Sequence, residues 1–348
     1  MSRKQNQLRK VRQKLSKKFG TGSIVLQKEL KALAYMPYGV GCQSLMVEFV
    51  IGRPGFPAGR LIEIIGHEAS AKSTLAYHIL AECQRIGGVG ILLETEEAFE
   101  TSRLEKLGIH VDDLIICQPK HLEEAFQMMD MNAKEIRKVH DGPLVIVLDS
   151  VASTPPMAEV ESDYDDENMA AAARVISKSL RKFIRTVAEL KLVLVFINQM
   201  KTNLDRYSGD KWISFGGKSI KFHSSLRFIV KTRKMDLELK GTEPSGTWIS
   251  VYNIKNRVST PYRIRRFFLN FKKGLDQYRD CREAGVMLGV FKEVGKGRIS
   301  YKGDVIDRAG LKKFIKKRWG SWHKCQAFLR KKAIKKGLLE PYGNKDEK

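Results

Sequence analysis

The segment LIEIIGHEASAKSTL at residues 61–75 constrains this chain more than any other stretch. Leu61 to Ile65 form an apolar strand that runs into Gly66, and Ala71-Lys72-Ser73 then open an apolar helical pattern. A strand–loop–helix turn of this kind aims backbone N–H groups and a helix N-terminus at one point, and that point suits a phosphate. Gly66, His67, Glu68, Ala69, Ser70, Ala71, Lys72, Ser73 and Thr74 are therefore candidate phosphate-loop residues. Lys72 is placed to reach the β- and γ-phosphates, and the Ser73 hydroxyl to ligate Mg²⁺. The loop departs from the common pattern at Ala71, where a second glycine is usual. Alanine there fits a backbone already helical and excludes positive φ.

A second landmark lies at 144–149, LVIVLD. A continuous apolar run suits a parallel strand buried on both faces. An acid at its carboxyl end sits beside the phosphate loop of a nucleotide-binding sheet, where Asp149 holds the Mg²⁺ shell. From 60 to about 265, apolar strands alternate with helical patterns, at 61–65, 89–94, 113–117, 144–149, 192–198, 226–232 and 247–254. The alternation predicts an α/β fold, a P-loop ATPase core with a mostly parallel twisted sheet. Polar segments at 155–168, which is acidic, and at 200–217 follow core strands, and long polar loops there are functional or mobile.

The flanks differ in character. Residues 5–19 predict a basic amphipathic helix, with Val11, Leu15 and Phe19 at helical spacing, and 20–60 reads as a Gly- and Pro-bearing connector. Residues 311–336 hold lysines and arginines interleaved with Trp319, Trp322 and Phe328, and no acid. Trp319 and Phe328 read as core and the lysines as a nucleic-acid surface. The expected division is a basic N-terminal helix (1–35), an ATPase core (36–269) and a small basic C-terminal α/β domain (270–348).

Net charge is +24, which points to a polyanionic partner. No run of 18 apolar residues exists, and the basic N-terminus lacks the apolar stretch of a secretory signal. Cys42, Cys83, Cys117, Cys281 and Cys325 lack metal-ligand spacing and read as small apolar residues of a reducing, cytoplasmic compartment.

The chain resembles the bacterial and phage RecA-type recombinases (the RecA/UvsX group) over residues 8 to roughly 305. The resemblance is carried in order by KKFGTGSI (17–24), GRLIEIIGHEASAKSTL (59–75), LETEEAFE (93–100), KLGIHVDDLIICQP (106–119), LVIVLDSVA (144–152), VFINQ (195–199), GGKSIKF (216–222), IKNRVSTPY (254–262) and SYKG (300–303). It implies that Glu96 activates the water that attacks the γ-phosphate, with Glu94 and Glu97 as rivals on spacing alone. It implies that Gln199 senses the γ-phosphate and opens the second DNA-binding loop. Lys255 and Arg257 resemble paired cations that reach a neighbouring subunit's ATP, Arg257 replacing a family lysine. Glu100 and Arg103 fall beside the nucleotide, Arg103 in place of an aromatic adenine platform. For DNA, the match selects Arg174, Ser177 and Arg181 on one helix face, and Lys201, Arg206, Lys211, Gly216 and Gly217 in the second loop, with Tyr207 and Trp212 as stacking aromatics.

What the resemblance implies is an ATP- and Mg²⁺-dependent recombinase. It would form a helical homo-oligomeric filament on single-stranded DNA and exchange strands with double-stranded DNA, in a bacterial or phage-infected cytoplasm. Two alternatives stay open: a RecA-fold helicase, and a non-hydrolysing coating or annealing protein with a degenerate nucleotide site, which Ala71 favours.

Overall fold

The computed structural model describes residues 38–342 apart from 97–99, 162–170, 203–211 and 296, together with positions 10, 11, 13, 14 and 17. Of the basic helix expected over 5–19, only those last positions are described, and they are helical. Along the chain, β1 (Gly39–Val40) precedes α1 (Leu45–Ile51), β2 (Phe56–Pro57), β3 (Arg60–Gly66), α2 (Lys72–Arg85), β4 (Val89–Glu94), α3 (Thr101–Lys106) and β5 (Leu114–Cys117). There follow α4 (Leu122–Val139), β6 (Leu144–Asp149), α5 (Met157–Val160), α6 (Ala171–Glu189), β7 (Val193–Thr202), β8 (Trp212–Ser214), α7 (Gly217–His223) and β9 (Leu226–Lys231). The remainder is β10 (Leu237–Lys240), β11 (Glu243–Asn256), β12 (Ile264–Asn270), β13 (Gly274–Leu275), α8 (Gln277–Met287), β14 (Lys292–Glu293), β15 (Ile299–Tyr301), β16 (Asp304–Ile306), α9 (Leu311–Trp319) and α10 (Trp322–Lys335).

The strands form an 11-stranded sheet in the order β13-β12-β11-β9-β3-β7-β6-β4-β5, with β10 on β11 and β8 on β7. From β9 to β5 every pairing is parallel. Beyond β9 the added strands are antiparallel. β6 is buried at every position, as its unalternating apolar run requires. Burying each such Val, Leu or Ile contributes about 2 kcal/mol, so this strand is among the least movable parts of the sheet. α4 and α6 cover one face through Phe126, Met129, Ile176, Leu180 and Phe183. α2, none of whose residues joins that cluster, packs on the other face against β3, β4, β6 and β7.

A second core unites α1 with the C-terminal elements: Leu45, Met46 and Phe49 pack with Cys281, Leu288, Phe291, Ile315 and Leu329. Trp319 and Phe328 pack against it while staying partly exposed, and the lysines of 311–336 are exposed. Two polar clasps reinforce the joint. Asp280, fully buried, accepts from the Ser44 hydroxyl, from Leu45 N at 2.7 Å and from Gln326 Nε2 at 3.2 Å. Burial pushes its carboxyl up to about 7 despite those bonds. Glu48 of α1 pairs with Arg330 of α10 at 2.6 Å. Cys281 and Cys325 are buried free thiols.

Three expectations shift. The region read as a connector contains α1, because Leu45, Val47, Phe49 and Ile51 are all buried and Gly52 ends the helix with φ 81°. β7 does not stop at 198 but runs to Thr202, since Met200, Lys201 and Thr202 gain antiparallel partners in β8. Gln199 therefore sits inside a strand. β12 was not foreseen: its IRRFFLN puts arginines among the apolar residues, and its regular pairing with β11 is what makes it a strand. Among the described residues, no helix is long and apolar enough to cross a membrane.

One buried contact joins the helix after the phosphate loop to the start of the C-terminal elements. His78 Nε2 accepts from Leu275 N at 2.9 Å, so the neutral ring's proton lies on Nδ1, 3.1 Å from Gln43 Oε1. Burial pushes the imidazole down to about 4. The folded protein thus keeps His78 neutral where an unfolded chain protonates it, below about 6.5. Its contribution is fully present above pH 6.5 and is lost as pH falls to 4, a change of about 3 kcal/mol. Chemical denaturation of wild type and His78→Gln from pH 7 to 4 should show wild type losing that amount relative to the variant. A difference that is flat with pH would mean that His78 carries no such linkage.

Candidate functional site

Gly66 ends β3 at a point of close approach: a Cβ there would lie 2.4 Å from Ser70 Oγ and 2.6 Å from the Val230 carbonyl oxygen. Only glycine lets the chain turn there under the neighbouring strand. The loop then climbs to α2 through Ala69 and Ala71, which take φ 53° and φ 70°. The expectation that alanine at 71 excludes positive φ is overturned. It is the N-cap of α2 in the left-handed region, a conformation that costs a non-glycine residue about 1–2 kcal/mol. The turn needs that backbone direction to bring Lys72 and Ser73 round, and alanine adopts it.

The loop, α2, β4, α3 and the end of β6 enclose a cavity of about 260 Å³. Ser70, Ala71, Lys72, Ser73 and Thr74 line it with Glu94, Glu96, Glu100, Arg103 and Asp149. Ala69 also lines it, while the exposed His67 and Glu68 do not. Lys72 Nζ donates to the His67 carbonyl at 2.7 Å, which folds the lysine back over its own loop. Burial lowers its pKa, and Asp149, Glu96 and Glu68 oppose that effect. Asp149 Oδ2 accepts from the Tyr77 hydroxyl at 2.9 Å. Burial pushes the Asp149 carboxyl up to about 6, against the Ser73 and Tyr77 hydroxyls.

Whether this cavity fits a phosphate and a cation is answered by its unsatisfied atoms. Asp149 Oδ1, Glu94 Oε2 and Ser70 Oγ are buried without a hydrogen-bond partner. Buried polar atoms left this way are costly unless something else satisfies them. A divalent cation suits oxygens of this type, and the loop amides with Lys72 suit the phosphates. The residues present therefore fit Mg²⁺ and a nucleotide.

Glu96 stands at the exposed rim, its Oε1 accepting from the Ser150 hydroxyl at 3.1 Å and its backbone N–H donating to Glu94 Oε1 at 2.9 Å. Its rival Glu97 lies outside the described residues. Thr95 and Ser153 hydroxyls brace the Asp149–Ser150 carbonyls, and the peptide between those two is cis. Arg103 Nη2 donates to Thr74 Oγ1 at 3.2 Å, tying α3 to α2. Tyr77, Thr95 and Ser150 were not anticipated. For Tyr77 a signal existed, since it lies one helical turn beyond Ser73.

Gln199 pairs with Gly66 across the parallel β3–β7 ladder, so it lies level with the start of the phosphate loop. Lys255 and Arg257 do not. In β11 Lys255 is opposite Arg227, while Ile65 is opposite Ile229 further along β9. That sets Lys255 level with Glu63, midway along β3 and about 10 Å down from the loop, with Arg257 further down, its N–H donating to the Ser225 carbonyl. Lys255 Nζ is docked on the Lys221 carbonyl and, at 3.1 Å, on that of Phe222. Burial, with Arg257 and Arg227 nearby, pushes it down to about 8.

The predicted DNA face divides likewise. α6 buries Ala172, Ile176, Leu180 and Phe183. Arg174 and Arg181 are exposed on its other side, with half-buried Ser177 between them, and Arg181 Nε donates to the Ser177 carbonyl at 3.3 Å. Gly216 and Gly217 open α7 with φ 83° and 71°, and a Cβ on Gly216 would meet Ile176 Cδ1 at 2.8 Å. Lys201 and Trp212 belong to the paired strands β7 and β8. Arg206, Tyr207 and Lys211 lie outside the described residues.

The chain matches the RecA N-terminal domain family over residues 6–276. Protein RecA of Chloroflexus aggregans is 33% identical over 284 residues, covering 81% of this chain and 78% of that protein. Protein RecA of Chloroherpeton thalassium is 32% identical over 334 residues, covering 95% and 90%.

The left-handed alanine makes a direct prediction. Ala71→Gly should raise stability by about 1 kcal/mol, because glycine adopts this φ without the Cβ penalty. Urea denaturation at pH 7 would measure it. A variant no more stable than wild type would show that the loop is relaxed around alanine.

Proposed function

The chain belongs to the RecA family, and on that premise we propose that it is an ATP- and Mg²⁺-dependent DNA recombinase. Subunits polymerise on single-stranded DNA, pair that strand with a homologous duplex and exchange strands. The observation that carries the reading is the convergence of Lys72, Glu96 and Asp149 on a cavity with unpartnered buried oxygens, beside a phosphate-type loop.

In this reading the loop amides and Lys72 hold the β- and γ-phosphates. Ser73 and Asp149 would hold Mg²⁺, which supplies charge neutralisation on the phosphates. Glu96, steadied by Ser150, orients the attacking water and takes its proton. Glu100 and Arg103 border the nucleotide from α3. Gln199, level with Gly66, registers the γ-phosphate and passes its presence along β7 to residues 200–217.

Lys255 and Arg257 serve a neighbour's site. Their position below the phosphate-loop edge of the sheet supports head-to-tail assembly, since a heterologous contact brings a different surface of one subunit to the site of the next. Cations supplied in trans are worth about 10³–10⁵ in rate. The primary strand is held by Arg174, Ser177 and Arg181 and by Lys201, Arg206, Lys211, Gly216 and Gly217, with Tyr207 and Trp212 stacking on bases. The basic segment 311–336 contributes to duplex capture. Residues 1–35 act in polymerisation, 36–269 as the ATPase and 270–348 as the basic accessory part, and the protein works in the cytoplasm.

The deciding experiment is ATP hydrolysis with and without single-stranded DNA, followed by electron microscopy. Stimulated hydrolysis on open helical filaments is expected. Closed rings would favour a helicase, and DNA binding without hydrolysis a coating protein.

Lys72→Ala should abolish hydrolysis and strand exchange while the circular dichroism spectrum is retained, and undiminished turnover would remove Lys72 from the site. Lys255→Ala and Glu96→Gln should each be inactive alone yet regain turnover when mixed, because hybrid interfaces pair an intact carboxylate with an intact cation. No recovery at any mixing ratio would mean that the sites are not shared.

A further inference from the structure

Between the phosphate-loop strand and the segment that follows the second loop lies a buried polar network to which no role has been given above. Glu63 of β3 is fully buried, and its Oε2 pairs with Arg227 Nε of β9 at 2.5 Å. The two residues are direct partners in the parallel β3–β9 ladder. Glu63 Oε1 accepts from Asn198 Nδ2 at 2.9 Å, and Asn198 is also fully buried. The same amide nitrogen donates to the Phe215 carbonyl at 2.9 Å, and Asn198 Oδ1 accepts from the Gln199 N–H at 2.9 Å. Arg227 Nη2 reaches the Ser214 hydroxyl at 3.3 Å. One ion pair thus joins β3 to β9, reaches the Ser214 hydroxyl directly, and reaches the Gln199 N–H and the Phe215 carbonyl through Asn198.

A buried ion pair is weak evidence for stability, because desolvation offsets its attraction. A close-packed apolar trio would hold three strands as well. What an apolar trio cannot do is fix the directions of a backbone N–H and a carbonyl on two different segments at once. We propose that Glu63 and Arg227 are positioning residues that couple nucleotide occupancy to the DNA-binding segment, acting through Asn198 on Gln199 and through Ser214–Phe215 on α7. The proposal rests on the recombinase reading for what the coupling is used for. Hydrogen-bonded networks that shift between discrete arrangements carry coupling between sites, and this one is bonded throughout here. Neither residue lines the phosphate-loop cavity.

The test uses the full-length protein. Glu63→Gln alone would strand a buried guanidinium and destabilise the fold. The paired variant Glu63→Gln with Arg227→Met removes both charges at similar volume, an exchange that folds commonly tolerate. Ser214→Ala leaves the pair intact and deletes only its reach to the junction. The readouts are the thermal midpoint, the KM for ATP, hydrolysis without DNA, its stimulation by oligo(dT), and hydrogen exchange at residues 212–217 with and without a slowly hydrolysed ATP analogue.

For the paired variant, KM and unstimulated hydrolysis should stay within about twofold, while DNA stimulation falls about tenfold. Nucleotide-induced protection at 212–217 should disappear. Ser214→Ala should show the same separation with a smaller loss, and it decides the matter if the paired variant fails to fold. Wild-type stimulation and protection in the folded variants would overturn the proposal. If wild type itself shows no DNA stimulation, the recombinase reading fails, and exchange at 212–217 still decides. Protection present in wild type and lost in the variant supports the coupling. Protection kept in both, or absent from wild type, refutes it.

Discussion

The nucleotide end of this molecule depends on the in-register parallel pairing of β3 between β7 and β9. That ladder sets Gly66 level with Gln199 and Ile65 level with Ile229. Everything that meets at the cavity inherits its position from this lattice: the loop leaves from one strand, the glutamine sits on the next, and Asp149 arrives at the end of β6, one strand beyond. Parallel strands deliver their carboxyl ends to one edge, which is why ligands of such sheets bind there. The antiparallel addition of β11 has the complementary effect. It carries Lys255 to the level of Glu63, midway down the sheet, and Arg257 below it, so one continuous sheet holds these cations away from its phosphate-loop edge.

The phosphate loop shows how firmly that lattice dictates conformation. Two alanines take left-handed backbone angles between the fixed end of β3 and the fixed start of α2. The combined cost of about 2–4 kcal/mol is small beside the burial of the flanking strands. The geometry persists because the anchors on either side leave the chain few other ways to span the gap. A glycine is the cheap solution at such a point, and the backbone accepts a dearer one.

The core strands from 60 to 256 were legible because their apolar runs are strong and because LIEIIG and LVIVLD mark their own ends, while the short β8 and β10 were not. That Lys72 and Asp149 would meet at one cavity was legible from the loop and from the acid ending LVIVLD, whereas Glu96 was singled out only by the family resemblance. What escaped had physical reasons. α1 lies among glycines and prolines and is stabilised by residues more than two hundred positions away, including Asp280. The extension of β7 past Gln199 exists only because β8 folds back on it. The angle at Ala71 contradicts the residue's own preference, so no local rule could reveal it. The Glu63–Arg227 pair is invisible from either residue alone, since its partners come from strands far apart in sequence.

The contact at Gly216 has a mechanical consequence. Where a side chain would normally separate two elements, α7 begins with its backbone nearly touching Ile176 of α6. Close-packed interiors compress little, so displacement is transmitted across such a contact and not absorbed. α6 and the first turn of α7 therefore behave as one stiff bracket. A push on the exposed arginines of α6 tilts that bracket as a whole, and Asn198, bonded to the residue just before Gly216, lies where the lever meets the sheet.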